Sequence, residues 1–163
     1  MSVEEAFSYH RAVAPMMWVL VALSGLEIAV VHFLIALWQP WLALALSVLT
    51  LSGVVWLVLV IRSFRHLPVL LNDERVLMRA GRLKALSVPL AAIESLRGEV
   101  PRAELDRRTL NCALIAHPNV ALVLRAPIRM GRRDIRMVAH RLDDPAAFTT
   151  ALQRRFEGAA LAR

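Results

Sequence analysis

Trp41–Ile61 reads WLALALSVLTLSGVVWLVLVI, a stretch of 21 residues without one charge. As a helix rising 1.5 Å per residue it reaches about 31 Å, the thickness of the hydrocarbon core of a bilayer. Immediately upstream, Pro15–Trp38 adds 24 residues whose only polar members are Ser24, Glu27 and His32. Only Gln39-Pro40 separates the two stretches, so a tight antiparallel hairpin of two membrane-spanning helices is expected over 15–61. Proline suits the boundary because it lacks the N–H that would continue the first helix. A cleaved signal peptide is a poorer reading: the apolar stretch is too long and its leader carries Glu4 and Glu5.

Charge gives an expected orientation. The Gln39-Pro40 turn has no Lys or Arg, whereas Arg11 precedes the first span and Arg62 and Arg65 follow the second. The positive-inside rule then places both termini in the cytoplasm and the turn outside. Trp38 and Trp41 flank the outer turn, and Trp18 and Trp56 lie near the inner ends, where amphipathic rings meet headgroups. Residues 1–14 are expected to form an interfacial segment. Ser2 to Glu5 has capping-box spacing, and Val3, Ala6, Phe7 and Ala14 would face lipid on a short helix; a frayed terminus is the equal alternative. Residues 62–67 read as a basic juxtamembrane linker, and 68–163 as a separate cytoplasmic domain.

The whole-chain composition agrees with this division. Hydrophobic residues make up 58% of the 163 residues and charged ones 20%, with a formal net charge of +7. The mean hydropathy is +0.53 and the isoelectric point near 11.3. Soluble domains carry fewer apolar and more charged residues, so a purely soluble or a disordered protein is excluded. From Arg62 onward there are 19 Lys/Arg against 10 Asp/Glu. A single cysteine, Cys112, cannot form an internal disulfide, which excludes a disulfide-stapled secreted module.

Two polar residues in the first span need partners, because a carboxylate in hydrocarbon costs at least a few kcal/mol. Glu27 and His32 are separated by about 140° around the helix, so they do not pair locally. His32 lies on a seam of small residues, Ala22, Gly25, Ala29 and Ala36, that would permit close helix approach. Glu27 lies on a bulkier face with Leu20, Leu23, Val31 and Leu34. Ser47 and Thr50 on the second span offer hydroxyls to one of the two polar groups. The other then needs a second copy of the chain or a different membrane partner. Satisfied packing groups are the plainest reading, ahead of a partner contact or a proton or ion pathway. A metal or haem site is the weakest, since two helices supply too few ligands.

Beyond the hairpin the pattern is strand-like. Val69–Leu71, Arg75–Ala80, Leu83–Val88, Ile93–Val100, Thr109–Ala116, Val120–Ala126 and Asp134–Leu142 read as seven short strands. Turn signals at Asn72-Asp73-Glu74, Gly81 and His117-Pro118-Asn119 separate them. Asp143-Asp144-Pro145 then caps a helix expected to run to about Glu157, with Ala147, Phe148, Ala151, Leu152 and Phe156 on its buried face and Gly158 at its end.

Seven strands and one C-terminal helix resemble the pleckstrin-homology-like fold, an α+β domain of seven-stranded barrel or sandwich form. The residues themselves resemble bacterial PH-like domains that follow a two-helix membrane hairpin. The matching pieces are Leu71-Asn72-Asp73-Glu74-Arg75-Val76-Leu77 with Gly81, then Val88-Pro89-Leu90 and Ile93, and finally His140-Arg141-Leu142-Asp143-Asp144-Pro145 with Phe148. These motifs are turns and core positions without a catalytic signature. The resemblance implies a membrane-tethered binding or scaffold module in a bacterial inner membrane. Eukaryotic relatives often bind phosphoinositides through basic residues between the first strands, and Arg75, Arg79, Arg82 and Lys84 fall in that region. No motif there matches residue for residue, so no lipid specificity is carried over.

The chemistry of the chain is sparse. It contains no Gly-rich phosphate loop, no Ser-His-Asp arrangement and no metal-ligand spacing, so neither an enzyme nor a cofactor is expected. Cys112 reads as a core residue, His117 as solvated and His140 as a satisfied, half-buried histidine. Arg62, Arg65 and His66, with Arg129, Arg132 and Arg133 and the nearby Arg136, are candidates to face anionic headgroups, each charge worth about 1 kcal/mol near a membrane surface. The alternative is a solvated basic face that fixes topology. Scarce aromatics argue against nucleic acid. Three functions stay open: a self-assembling or partner-docking scaffold, which is favoured; an ion- or proton-conducting homo-oligomer using Glu27 and His32; and an accessory subunit of a larger membrane complex.

Overall fold

A computed structural model of the chain describes residues 4–161. Residues 10–66 form a helical hairpin. The first arm comprises α1 (His10–Glu27), one π-helical turn (Ile28–His32) and α2 (Phe33–Trp38); the second is α3 (Pro40–His66). Both arms are long and apolar enough to cross a membrane. The turn is tighter than the sequence suggests. Gln39 alone breaks the helices, and Pro40 is the first residue of α3, where its missing N–H is unused. Half-buried Met17, Val21, Ser24, Ile28, His32 and Ile35 recur every three or four residues and mark the face of the first arm that meets α3.

The expected linker at 62–67 is not a linker. α3 continues through it to His66, and Ser63 and Phe64 are buried, Phe64 at 1% exposure. A phenyl ring that finds core to enter holds the last turn of the helix in place, while Arg62, Arg65 and His66 stay exposed on its other side.

Seven strands follow: β2 (Val69–Leu71), β3 (Arg75–Ala80), β4 (Lys84–Pro89), β5 (Ile93–Arg97), β6 (Thr109–Asn111), β7 (Val120–Met130) and β8 (Arg133–His140). They precede α4 (Pro145–Leu161), which runs through Gly158 instead of stopping there. An eighth strand, β1 (Glu5–Phe7), comes from the N-terminal segment. The first sheet has the order β1-β2-β3-β4, antiparallel throughout, and the second β5-β7-β8-β6. The two sheets are separate and do not close into one barrel. In the second, β6 crosses to the far edge and pairs in parallel with β8, Thr109 opposite Met137.

The N-terminal segment departs most from expectation. Instead of lying on a membrane surface as a helix, Glu5–Phe7 extends the first sheet, with Glu5 opposite Leu71 and Phe7 opposite Val69. Phe7 meets Phe148 of α4 edge-on at 5.1 Å. Ala6 is exposed and Ala14 half-buried within α1, while Val3 falls outside the described residues. Arg155 of α4 reaches both Glu5 (3.0 Å) and Asp73 (3.4 Å), fastening β1 and the β2–β3 turn to the helix.

One core joins the sheets, α4 and the base of the hairpin. Val69, Leu71, Val76 and Met78 from the first sheet meet Leu122, Ile135 and Val138 from the second, Phe148 and Leu152 from α4, and Tyr9, Val13, Val60 and Phe64 from the helices. Each buried aliphatic or aromatic side chain of this kind contributes about 1.5–3 kcal/mol. The helix caps show the same union. Asp144 accepts from the Ala147 N–H and caps α4 at 2.9 Å, as the sequence predicts. Its neighbour Asp143 instead accepts from the Arg11 N–H at 3.2 Å, capping α1, whose own Tyr9 offers no side-chain cap. Adjacent aspartates therefore cap two different helices.

Candidate functional site

Among the described residues, polar groups gather in the middle of the hairpin, at the junction between hairpin and domain, and in an arginine-lined cleft at the β7–β8 turn.

In the hairpin, His32 closes the π-helical turn. Its ring Nδ1 lies 3.1 Å from the Ile28 carbonyl, and its Nε2 lies 3.5 Å from the Thr50 hydroxyl of α3. The tautomer with hydrogen on Nδ1 donates to Ile28. The Thr50 hydroxyl has one hydrogen, which goes either to the Leu46 carbonyl at 2.9 Å or to His32 Nε2. His32 is thus partnered inside its own hairpin, and Thr50 is the hydroxyl that reaches it. Ser47 is half-buried along the same face of α3.

Glu27 differs. It is exposed, and among the described residues no hydrogen bond or ion pair is formed by it. Leu20, Leu23, Val31 and Leu34 around it are exposed as well. The small residues Ala22, Gly25, Ala29 and Ala36 are also exposed, so they are not the contact between the two arms. At 100° per residue the small-residue strip and the Glu27 face flank the intramolecular seam at roughly 90° on either side. A Cβ added at Gly25 would meet nothing within 4 Å.

At the junction, the Tyr9 hydroxyl donates to the Leu67 carbonyl at 2.9 Å and accepts from the Gly81 N–H at 2.6 Å. Burial pushes this phenol up to about 12, so it keeps its proton. The Tyr9 ring lies 4.7 Å from that of His140. His140 is fully buried, with Nε2 2.8 Å from the Arg79 carbonyl and Nδ1 3.1 Å from the Arg141 carbonyl. A neutral ring donates to one of these, and the shorter contact marks Arg79 as the acceptor. Burial lowers the imidazole below its ordinary range; the two carbonyls and Asp143 oppose that shift. Cys112 is buried nearby in sequence register with Ala139, its N–H donating to that carbonyl, and burial pushes its thiol up to about 11. It is a core residue, not an available nucleophile. His117 is exposed.

The basic residues fall into two groups. Arg62, Arg65 and His66 are exposed on the last turns of α3. Arg132 and Arg133 sit at the β7–β8 turn, with Arg129 paired across it to Asp134. β8 runs from that turn to His140 beside Tyr9, about 23 Å of extended strand, so the two groups are not one patch. The turn group has neighbours that the sequence reading missed. Because β6 pairs in parallel with β8, the residues before Thr109 run beside those before Met137, and Arg108 O accepts from Arg136 N–H at 2.8 Å. Arg107, Arg108, Arg132 and Arg133, with Asp134, then line an open cleft of about 580 Å³. The sequence offered two arginine doublets as a signal, but nothing to join them. Of the basic residues between the first strands, Lys84 is spent on the Asn111 carbonyl at 2.7 Å.

Among the described residues no three His, Cys, Asp or Glu side chains come together to hold a metal ion. No family model matches this chain, and neither a curated protein nor a solved structure matches it, so its reading rests on the geometry above.

Proposed function

We propose that the protein is a membrane-anchored binding or scaffold module that self-associates within the bilayer through its hairpin. Glu27 carries the proposal. It stands within two residues of the middle of the 13–38 span, on a wholly apolar exposed face, with no partner from its own chain among the described residues. A carboxyl group at that depth needs a hydrogen-bonding partner in protein. A second copy offers the simplest one, because two-fold association presents the same face, Glu27 included, to itself. His32 is held by the Ile28 carbonyl and lies beside the Thr50 hydroxyl, which favours packing over conduction for that residue.

Both arms of the hairpin are tied to the β domain at their base, and the exposed Arg62 and Arg65 lie there while the Gln39 turn carries no charge. This supports a domain on the cytoplasmic side of the membrane; a bacterial inner membrane is part of the same proposal and rests only on the resemblance to bacterial PH-like domains. Strands β2 to β8 followed by α4 support a PH-like reading of the domain; the parallel β6 and the added β1 depart from it.

The test is the native mass of the full chain in lipid discs, for the wild type and for Glu27→Leu. A defined homo-oligomer that becomes monomeric in the variant is the expected result. A monomeric wild type overturns self-association. Foreign chains that co-purify with the wild type and are lost from Glu27→Leu would replace it with the accessory-subunit reading.

A further inference from the structure

We infer that the cleft between the loop before β6 and the β7–β8 turn is a binding site for a phosphate-bearing anion. Four arginines, Arg107, Arg108, Arg132 and Arg133, line it, and only one acidic residue, Asp134, shares the lining. No ion pair is formed by any of the four arginines among the described residues. So many uncompensated like charges in one cleft repel one another, and a multiply charged anion is their natural complement.

The cleft is also held in shape. Arg133 donates through Nε (3.1 Å) and Nη2 (2.7 Å) to the Arg107 carbonyl, clamping the loop before β6 against the turn. Arg136 N–H on the Arg108 carbonyl fixes the next residue. Arg133 therefore spends two donors on positioning, while the side chains of Arg107, Arg108 and Arg132 make no hydrogen bond among the described residues and keep all of theirs. Guanidinium forks match the oxygens of phosphate in pairs, which a point charge does not. The volume is that of a small-molecule site, but the lining has no aromatic or aliphatic side chain. Recognition is then of the charged group itself, without stacking of a base. That phosphate is carried by a free polyphosphate-type anion or by a lipid headgroup; the chemistry at the cleft is the same.

The experiment uses the full chain in discs of zwitterionic lipid, titrated with tripolyphosphate by calorimetry at low and moderate salt. Saturable binding is expected, weakened at least about tenfold in Arg108→Gln/Arg132→Gln, which removes two charged donors. Asp134→Asn should bind more tightly, and Arg62→Gln/Arg65→Gln should match the wild type. Should the double variant fold poorly by thermal unfolding, Arg132→Gln alone carries the comparison, since that side chain holds nothing in place. Absence of saturable binding overturns the site. So does equal weakening by the α3 double variant, which would mean general attraction to a basic protein. Repeating the titration in discs containing phosphatidylglycerol assigns the source: loss of tripolyphosphate affinity marks the phosphate as lipid-borne, and unchanged affinity marks it as free.

Discussion

The two ends of the hairpin are built by different rules. At the base, Tyr9, Val13, Val60, Ile61, Ser63 and Phe64 are buried among the sheets and α4. Toward the Gln39 turn almost nothing is buried: between Ala14 and Leu59 only Ala43 is, and Trp38 at the tip is 91% exposed. The tip is held by local bonds, such as Trp41 Nε1–H to Gln39 Oε1 at 3.0 Å. The base is held by bonds between residues 72 and 132 positions apart, Tyr9 to Gly81 and Arg11 to Asp143. A helix whose apolar surface is covered by bilayer needs only a narrow seam to its neighbour. One that enters a protein core must match it atom by atom.

The sharpest way to break the comparison is at the two glycines with positive φ. Gly81 (φ +53°) lies against the base, where an added Cβ would overlap the Ser63 and Phe64 side chains. Gly131 (φ +61°) turns β7 into β8 in open space. Gly81→Ala should cost about 3 kcal/mol or more, combining the left-handed backbone with overpacking. Gly131→Ala should cost only the backbone share, about 1–2 kcal/mol. Thermal unfolding of the two variants in discs measures the difference; equal losses would mean that the base is not rigidly packed.

A second, smaller effect is a pH dependence confined to the base. His140 titrates lower in the folded protein than its ordinary 6.5 because it is buried. Above that value both folded and unfolded chains are neutral there, and no dependence arises. As pH falls below it, the unfolded chain binds the proton first, so stability is lost on acidification. The unfolding midpoint of the wild type should therefore drop between neutral pH and about pH 5, and the drop should shrink in His140→Gln. Equal slopes would remove His140 from the account.

The smallest effect belongs to the upper hairpin. Thr50→Val removes the hydroxyl facing His32, and interhelical hydrogen bonds in membranes are worth about 0.6 kcal/mol on average. The variant should keep the wild-type unfolding midpoint to within a degree or two. A loss as large as that of Gly81→Ala would show that the upper hairpin depends on specific bonds after all.

Much of this architecture is written in short-range pattern. Apolar runs of helical length set the hairpin, and alternating apolar residues between turn signals placed seven strands within a few residues of their positions. Asp144 announced the start of α4. That Glu27 and His32 face different ways, so that one of them would go unsatisfied by its own hairpin, was legible because angular spacing along one helix can be counted; which of the two was not. The small-residue strip was legible too, but not which of three faces would meet α3; that depends on the second helix. Strand boundaries near Asn111 and Met130 were missed, since β6 is three residues long and β7 continues through Pro127 at a bulge.

By itself, then, the sequence determined the elements whose signal repeats within one helical turn or one pleat: two apolar helices, the strands β2 to β8, and α4 with its cap. Tertiary structure alone decided that Glu5–Phe7 would become a strand, that Asp143 would cap α1, that Gly81 would lie under Phe64, and that two arginine doublets would share one cleft. Each of those joins residues well beyond one helical turn or one pleat, from 17 positions apart (Phe64 and Gly81) to 132 (Arg11 and Asp143). Its energy comes from packing and hydrogen bonds made only after the chain has closed on itself, and no local periodicity records them.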